Sequence, residues 1–192
     1  MKKFELTTEF ITNALGKKLF RIKALVEFGS VKAGELGGYA EKEENISQDG
    51  NAWVSGDARV YGNAWVSGDA WVSGDAWVYG DAWVHGNAKV FGNAWVYGDT
   101  EVSGDAKVSD NAEVSGDADY ALVKGFGTEF RYTTFYRDKN KKIMVNCGCF
   151  HGDLEAFRKQ VKETRSGKIA KEYLMIADLM EYHFTSEDSS DE

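Results

Sequence analysis

The chain has 192 residues, a formal charge of −8, 43% hydrophobic and 14% aromatic residues, and no proline. That composition can bury a core and excludes a chain that stays unfolded. No stretch reaches the roughly 18 apolar residues of a membrane span, and the N-terminus lacks the apolar run of a secretory signal. A cytoplasmic protein with no membrane partner is therefore expected. The charge is localised: Gly50 to Ala121 holds nine Asp and two Glu against Arg59, Lys89 and Lys107, and accounts for all of it. Such an acidic segment argues against direct non-specific nucleic-acid binding.

In chain order, residues 1–37 are expected to form a β-rich N-terminal cap, with alternating strands at Lys3–Thr7 and Lys18–Glu27. Residues 38–121 form the repeat, and from Gly50 they fall into twelve hexads of the form Gly-(Asp/Asn)-Ala-x-Val-y. Asp110 alone breaks the Gly column, and Thr100 and Tyr120 alone break the Ala and Val columns. The same phase places Ala40 and Ile46 at Ala positions. Within a hexad the side chains alternate, so Ala and Val point inward while x and y point outward. The Gly-Asp or Gly-Asn pair turns the corner, because these residues tolerate positive φ at low cost. Three strands and three corners make one coil of three hexads, which predicts a mainly β fold built on a triangular parallel β-helix. A solenoid of this kind needs its open end covered, and this is the role expected of the N-terminal residues.

Every third hexad shares a face. One face carries Trp53, Trp71, Lys89 and Lys107, and a third carries Trp65, Trp83, Glu101 and Asp119. The second combines Arg59, Trp77, Trp95 and Glu113 with Tyr61, Tyr79, Tyr97 and Ser115. Arg59, Tyr61, Trp77, Tyr79, Trp95 and Tyr97 are the candidate binding residues, since five aromatics on a flat sheet make a large apolar patch and Trp, Tyr and Arg dominate interface hot spots. Three readings stay open for this face: self-association as a dimer or trimer, binding of a foreign partner, or stacking that only stabilises the coils. Asp81, Asp99 and Asp117 share one corner column, where solvent screening competes with cation binding.

Residues 122–185 are expected to form a small α/β domain, with strands at Glu129–Tyr136 and Lys142–Asn146. Asp153 caps a helix with Leu154, Phe157 and Val161 on one stripe, and Gly167 stops it. A second helix, about Lys168 to Phe184, carries Ile169, Tyr173, Leu174, Ala177 and Met180 at core spacing. Cys147 and Cys149 are too close in sequence for an unstrained disulfide and too few for a zinc site even with His151, so buried thiols are expected. Residues 186–192 read as an acidic, disordered tail. Neither a metal nor another cofactor is expected.

The spacing of Val54 to Ala58 and of Val60 to Ala64 resembles the hexapeptide-repeat family, and the resemblance implies a left-handed helix. Its acyltransferases use a histidine base and its carbonic anhydrases use three zinc-binding histidines. The repeat here has only His85, which leaves a degenerate acyltransferase as a minor reading and a non-enzymatic protein as the main one. The segments Lys18–Leu25, Leu36–Tyr39, the Gly-Asn-Ala-Trp-Val array and Cys147–Gly152 together resemble phage and prophage hexapeptide-repeat proteins labelled polymer-forming. That resemblance implies a small binding protein that antagonises a host defence system, with a host defence protein or a small nucleotide ligand as its partner. The alternative it implies is an assembly protein that self-associates through the aromatic faces.

Overall fold

The computed structural model describes residues 2–185. The described residues divide into two compact units, which part between Gly116 and Asp117. The first opens with β1 (Phe4–Thr12), β2 (Lys18–Ala24) and β3 (Leu36–Ala40). Trp53–Val54 and the ten equivalent x-Val pairs that follow at regular hexad intervals, ending with Glu113–Val114, form β4–β14. Strands three apart pair in parallel, Trp53 with Trp71 and Val54 with Val72, so one turn takes three hexads as the sequence predicts. Three sheets result, and eleven strands at three per turn make just under four turns of β-solenoid.

The interior follows from side-chain size. Every inward Val from Val54 to Val114 is fully buried, as are the inward Ala residues. Thr100, which stands in the Ala column, is also buried, and its hydroxyl donates to the Tyr97 carbonyl at 2.8 Å. At each corner only the first central residue has positive φ, for example Gly74 at +71° and Gly80 at +74°, the pattern of a type II′ turn. A Cβ on Gly74 would also stand 3.0 Å from backbone atoms of Gly92 one turn on, so bond geometry and stacking both select glycine there. Asp110, the exception in that column, adopts φ 58° and accepts a hydrogen bond from the Ser109 hydroxyl at 3.1 Å.

The N-terminal strands continue one of the three sheets. β1 pairs with β2 and β2 with β3, all antiparallel, and β3 then runs parallel to the Arg59–Val60 strand. Ala40 pairs with Val60 and Ile46 bridges Val66. Both therefore occupy Val positions rather than the Ala positions expected for them. The first turn is longer than the regular ones because Gln48 and Asp49 are inserted in the corner before the array begins.

The extra corner is where the open end of the solenoid is satisfied. In the array, x and y backbone N–H groups donate to carbonyls one turn on, as in Trp53 N to Ala70 O and Ser55 N to Val72 O. Carbonyls of the first turn consequently lack a preceding coil. The Lys3 ammonium, buried among them, donates to Asp49 O, Gly50 O and Ala52 O at 3.4, 3.3 and 2.9 Å. The Asn45 amide donates to Gly62 O and Ala64 O at 3.1 and 2.8 Å, and the Gln48 side chain bonds the Phe4 backbone. Side chains thus replace an absent strand.

The second unit is a four-stranded antiparallel sheet, β15 (Tyr120–Phe126), β16 (Arg131–Arg137), β17 (Ile143–Cys147) and β18 (Phe150–Asp153), packed with α1 (Leu154–Thr164) and α2 (Gly167–Thr185). Its core holds Phe135, Val145, Leu154, Phe157, Val161, Ile176, Ala177, Met180 and Phe184. Asp153 caps α1 as expected, accepting from Ala156 N at 2.7 Å, and Lys142 pairs with it at 2.6 Å. Gly167 opens α2 rather than ending α1, which already stops at Thr164. The twelfth hexad adds no solenoid strand: Asp117–Asp119 is a 3-10 turn and Tyr120 begins the antiparallel sheet. The expected tail, residues 186–192, lies outside the described residues.

Burial of the Lys3 ammonium holds its pKa down at about 8, against the pull of Asp49 and Asp69. With this lysine depressed in the fold, the unfolded chain binds more protons between pH 8 and 10.5. The group's contribution to stability therefore grows across that window and is smallest below it. Lys3→Met should cost about 1–3 kcal/mol in urea unfolding, because three carbonyls lose their donor. The difference between wild type and Lys3→Met should widen from pH 8 to 10; a difference independent of pH would refute this.

Candidate functional site

The six predicted residues do share one face, on the sheet that β1–β3 extend. Their rings form two ladders along the solenoid axis. Tyr61, Tyr79 and Tyr97 stack at 5.0 Å per rung, with interplanar angles of 3° and 6°. Trp77 and Trp95 stack at 5.3 Å, and the Arg59 guanidinium sits over Trp77 at 4.8 Å from its centroid. Tyr97 donates to the Glu113 carboxylate at 2.8 Å, which closes the far end.

The ladder is less open than five exposed aromatics. Tyr61 is buried, in a cluster with Leu19 and Tyr39 against which Ile11, Trp77 and Tyr79 also pack. Trp77, Tyr79 and Tyr97 are half-buried, and only Trp95 is well exposed. Two causes combine: stacked rings shield one another's faces, and the N-terminal hairpin continues the sheet over the Tyr61 end. Trp53 departs further from expectation, being fully buried against Phe4 and Phe28 at 6.4 and 5.4 Å.

The third face holds the more open pair. Trp65 and Trp83 stack at 5.3 Å and remain 43% and 38% exposed, about as open as Trp95. His85 packs on Trp83 at 4.1 Å and shares a 2.8 Å hydrogen bond with Glu101. Its ring face and Nε2 are both engaged by the ladder, which is the behaviour of a packed rung.

Sequence reasoning missed the rule that ties x to y. Trp71 donates to Ser55, Trp83 to Ser67, His85 bonds Glu101 and Tyr97 bonds Glu113, all at the same sequence separation. A y residue thus meets the x residue of the next turn diagonally. At the corners Asn51, Asn63 and Asn87 donate to Asp69, Asp81 and Asp105, each one full turn on, at 2.7 to 3.0 Å. These amides offset the column of carboxylates. No group of three metal-binding side chains occurs among the described residues.

In the second unit the expected burial of both thiols is not found. Cys147 is half-buried and accepts from the Thr133 hydroxyl at 3.1 Å, while Cys149 is exposed. Cys147 pairs with Phe150, so Gly148 and Cys149 are the tip of a tight hairpin turn, which leaves Cys149 no core to enter. His151 bonds the Tyr136 hydroxyl at 3.2 Å. A cleft lined by Cys147, Phe150, Gln160, Arg165 and Tyr173 lies beside this turn.

Pairing, register and interior together define a β-helix repeat protein. A family model, the YdcK β-solenoid repeat, matches residues 52–68 and 70–86, which are two successive turns of the array. No curated protein matches the chain. No helix among the described residues is long and apolar enough to cross a membrane.

The Glu113 carboxylate, by accepting its hydroxyl, pushes Tyr97 up to about 12, and burial raises Tyr61 to about 12 as well. A raised tyrosine favours the fold below pH 10, and that contribution is lost as pH rises through 12. Glu113→Gln should therefore move one of the nine tyrosines down towards 10 in an ultraviolet titration. An unchanged titration curve would contradict the assigned bond.

Proposed function

We propose that the protein is a non-catalytic binding scaffold of the phage or prophage hexapeptide-repeat type, acting in the host cytoplasm. Its solenoid presents stacked tryptophans on rigid sheets to a macromolecular partner. The observation that carries this reading is the exposure of Trp65 and Trp83 on one sheet and Trp95 on another. Large aromatics held in place by their neighbours lose little side-chain freedom on binding, which makes them efficient contact residues. The resemblance to phage proteins supplies the biological setting: a host defence protein, or a small nucleotide signal withheld from one. A net charge of −8 favours a partner with a basic surface.

Self-assembly through the aromatic faces is the second reading, favoured by the Arg59 and Glu113 pair that brackets Trp77 and Trp95. The two separate experimentally. Affinity capture from host-cell extract should retain a partner with wild type and lose it with Trp65→Ser/Trp83→Ser, while Lys32→Ser behaves as wild type. Identical capture by all three proteins would overturn the binding role of that face.

A further inference from the structure

The second face has an order that its ladders alone do not require. Down the outward column run Arg59, Trp77, Trp95 and Glu113, on four successive strands of one sheet. At the ordinary strand spacing the two charges lie three rungs, roughly 14 Å, apart. Turned end for end, the column becomes Glu, Trp, Trp, Arg, and so is its own complement. The column of the third face runs Trp65, Trp83 and Glu101, with the acid already bonded to His85, and that of the first ends in Lys89 and Lys107 with Trp53 covered.

Arg59 is also left wanting an acceptor. Its guanidinium lies over Trp77 but makes no ion pair among the described residues, and its Nε is buried without a hydrogen-bond partner. Glu113 uses one carboxylate oxygen for Tyr97, and Trp95 beside it is among the exposed large apolar residues. An unpaired guanidinium at one end of a strip of stacked indoles and a carboxylate at the other are the features of an isologous contact surface.

We propose that this face binds a second copy of the chain about a two-fold axis passing between the Trp77 and Trp95 rungs. Arg59 then meets the partner subunit's Glu113, and Glu113 meets the partner subunit's Arg59. The indole edges of Trp77 and Trp95 fill the space between the two ion pairs. The inference develops the self-assembly reading and makes it a closed dimer rather than a filament, because the same patch is used on both sides. The edge of β1 offers no such match. β1 carries Glu5 and Glu9 and no cation, and a register shift between Leu6 and Phe10 already interrupts that strand.

The test is light scattering with wild type, Arg59→Glu, Glu113→Arg and the double variant carrying both changes. Wild type should show twice the 21.3 kDa chain mass. Each single reversal sets like charges across the axis and should produce monomers, with at least a tenfold rise in the dissociation constant. The double variant restores opposite charges and should return the dimer, which also shows that loss in the single variants is not misfolding. A wild-type monomer, trimer or open-ended polymer overturns the proposal, as do single reversals that leave the mass unchanged or a double variant that stays monomeric. Because Trp65 and Trp83 are untouched, capture of a foreign partner succeeds or fails independently of this result.

Discussion

The organising constraint is the repeat of backbone hydrogen bonds from one turn to the next. The x and y residues of the array donate their N–H groups to carbonyls one turn on, and within the array that pairing keeps one register because each turn there has the same length. Three strands per turn meet the condition where the inward columns of the array hold only Ala, Val and Thr100 and a residue tolerant of positive φ stands at each corner. The tryptophans have no room inside such an interior. They stand outside it, and on two of the faces they stack, so the aromatic ladders are a consequence of the backbone register rather than a separate design.

A ladder of this kind has ends, and the first end shows how costly an unpaired carbonyl is. Lys3 and Asn45 are polar side chains buried deeply to serve five carbonyls between them. Burying an ammonium is unfavourable in itself, which is why its pKa falls, but three orphaned acceptors would be worse. The inserted corner shifts the phase of the preceding segment, and over this same end Phe4 and Phe28 close on Trp53. The broken register and the one wholly hidden tryptophan thus belong to a single local solution.

Much of this was legible in the sequence. The period, the inward columns and the grouping of x residues into three faces all follow from alternation and counting. Burial on those faces was not legible, because it depends on tertiary neighbours: Tyr61 is covered by Leu19 and Tyr39, which belong to the N-terminal strands rather than to the array. The diagonal contact could have been found, since Ser precedes Trp71 and Trp83 at that spacing while Tyr precedes Trp77 and Trp95. In the second unit, β15 escaped detection because its burial does not alternate, half-buried from Tyr120 to Val123 and exposed from Lys124 to Phe126, and β18 because it has only four residues. The exposure of Cys149 follows from a hairpin tip whose position depended on β18. On α2 the expected core stripe is real at Ala177 and Met180, but Met175, Leu179 and Tyr182 stand exposed on another side of the helix.

The proposed binding role rests on what the register leaves outside: the open Trp65 and Trp83 pair, Trp95, and one column with opposite charges at its two ends. All of it depends on an interior that excludes bulk. The most direct measurement compares thermal unfolding of Ala76→Leu with that of Trp83→Leu. The account predicts that the inward leucine lowers the midpoint by several degrees through overpacking, while the outward change costs clearly less. A larger loss from Trp83→Leu, or an Ala76→Leu protein as stable as wild type, would contradict it.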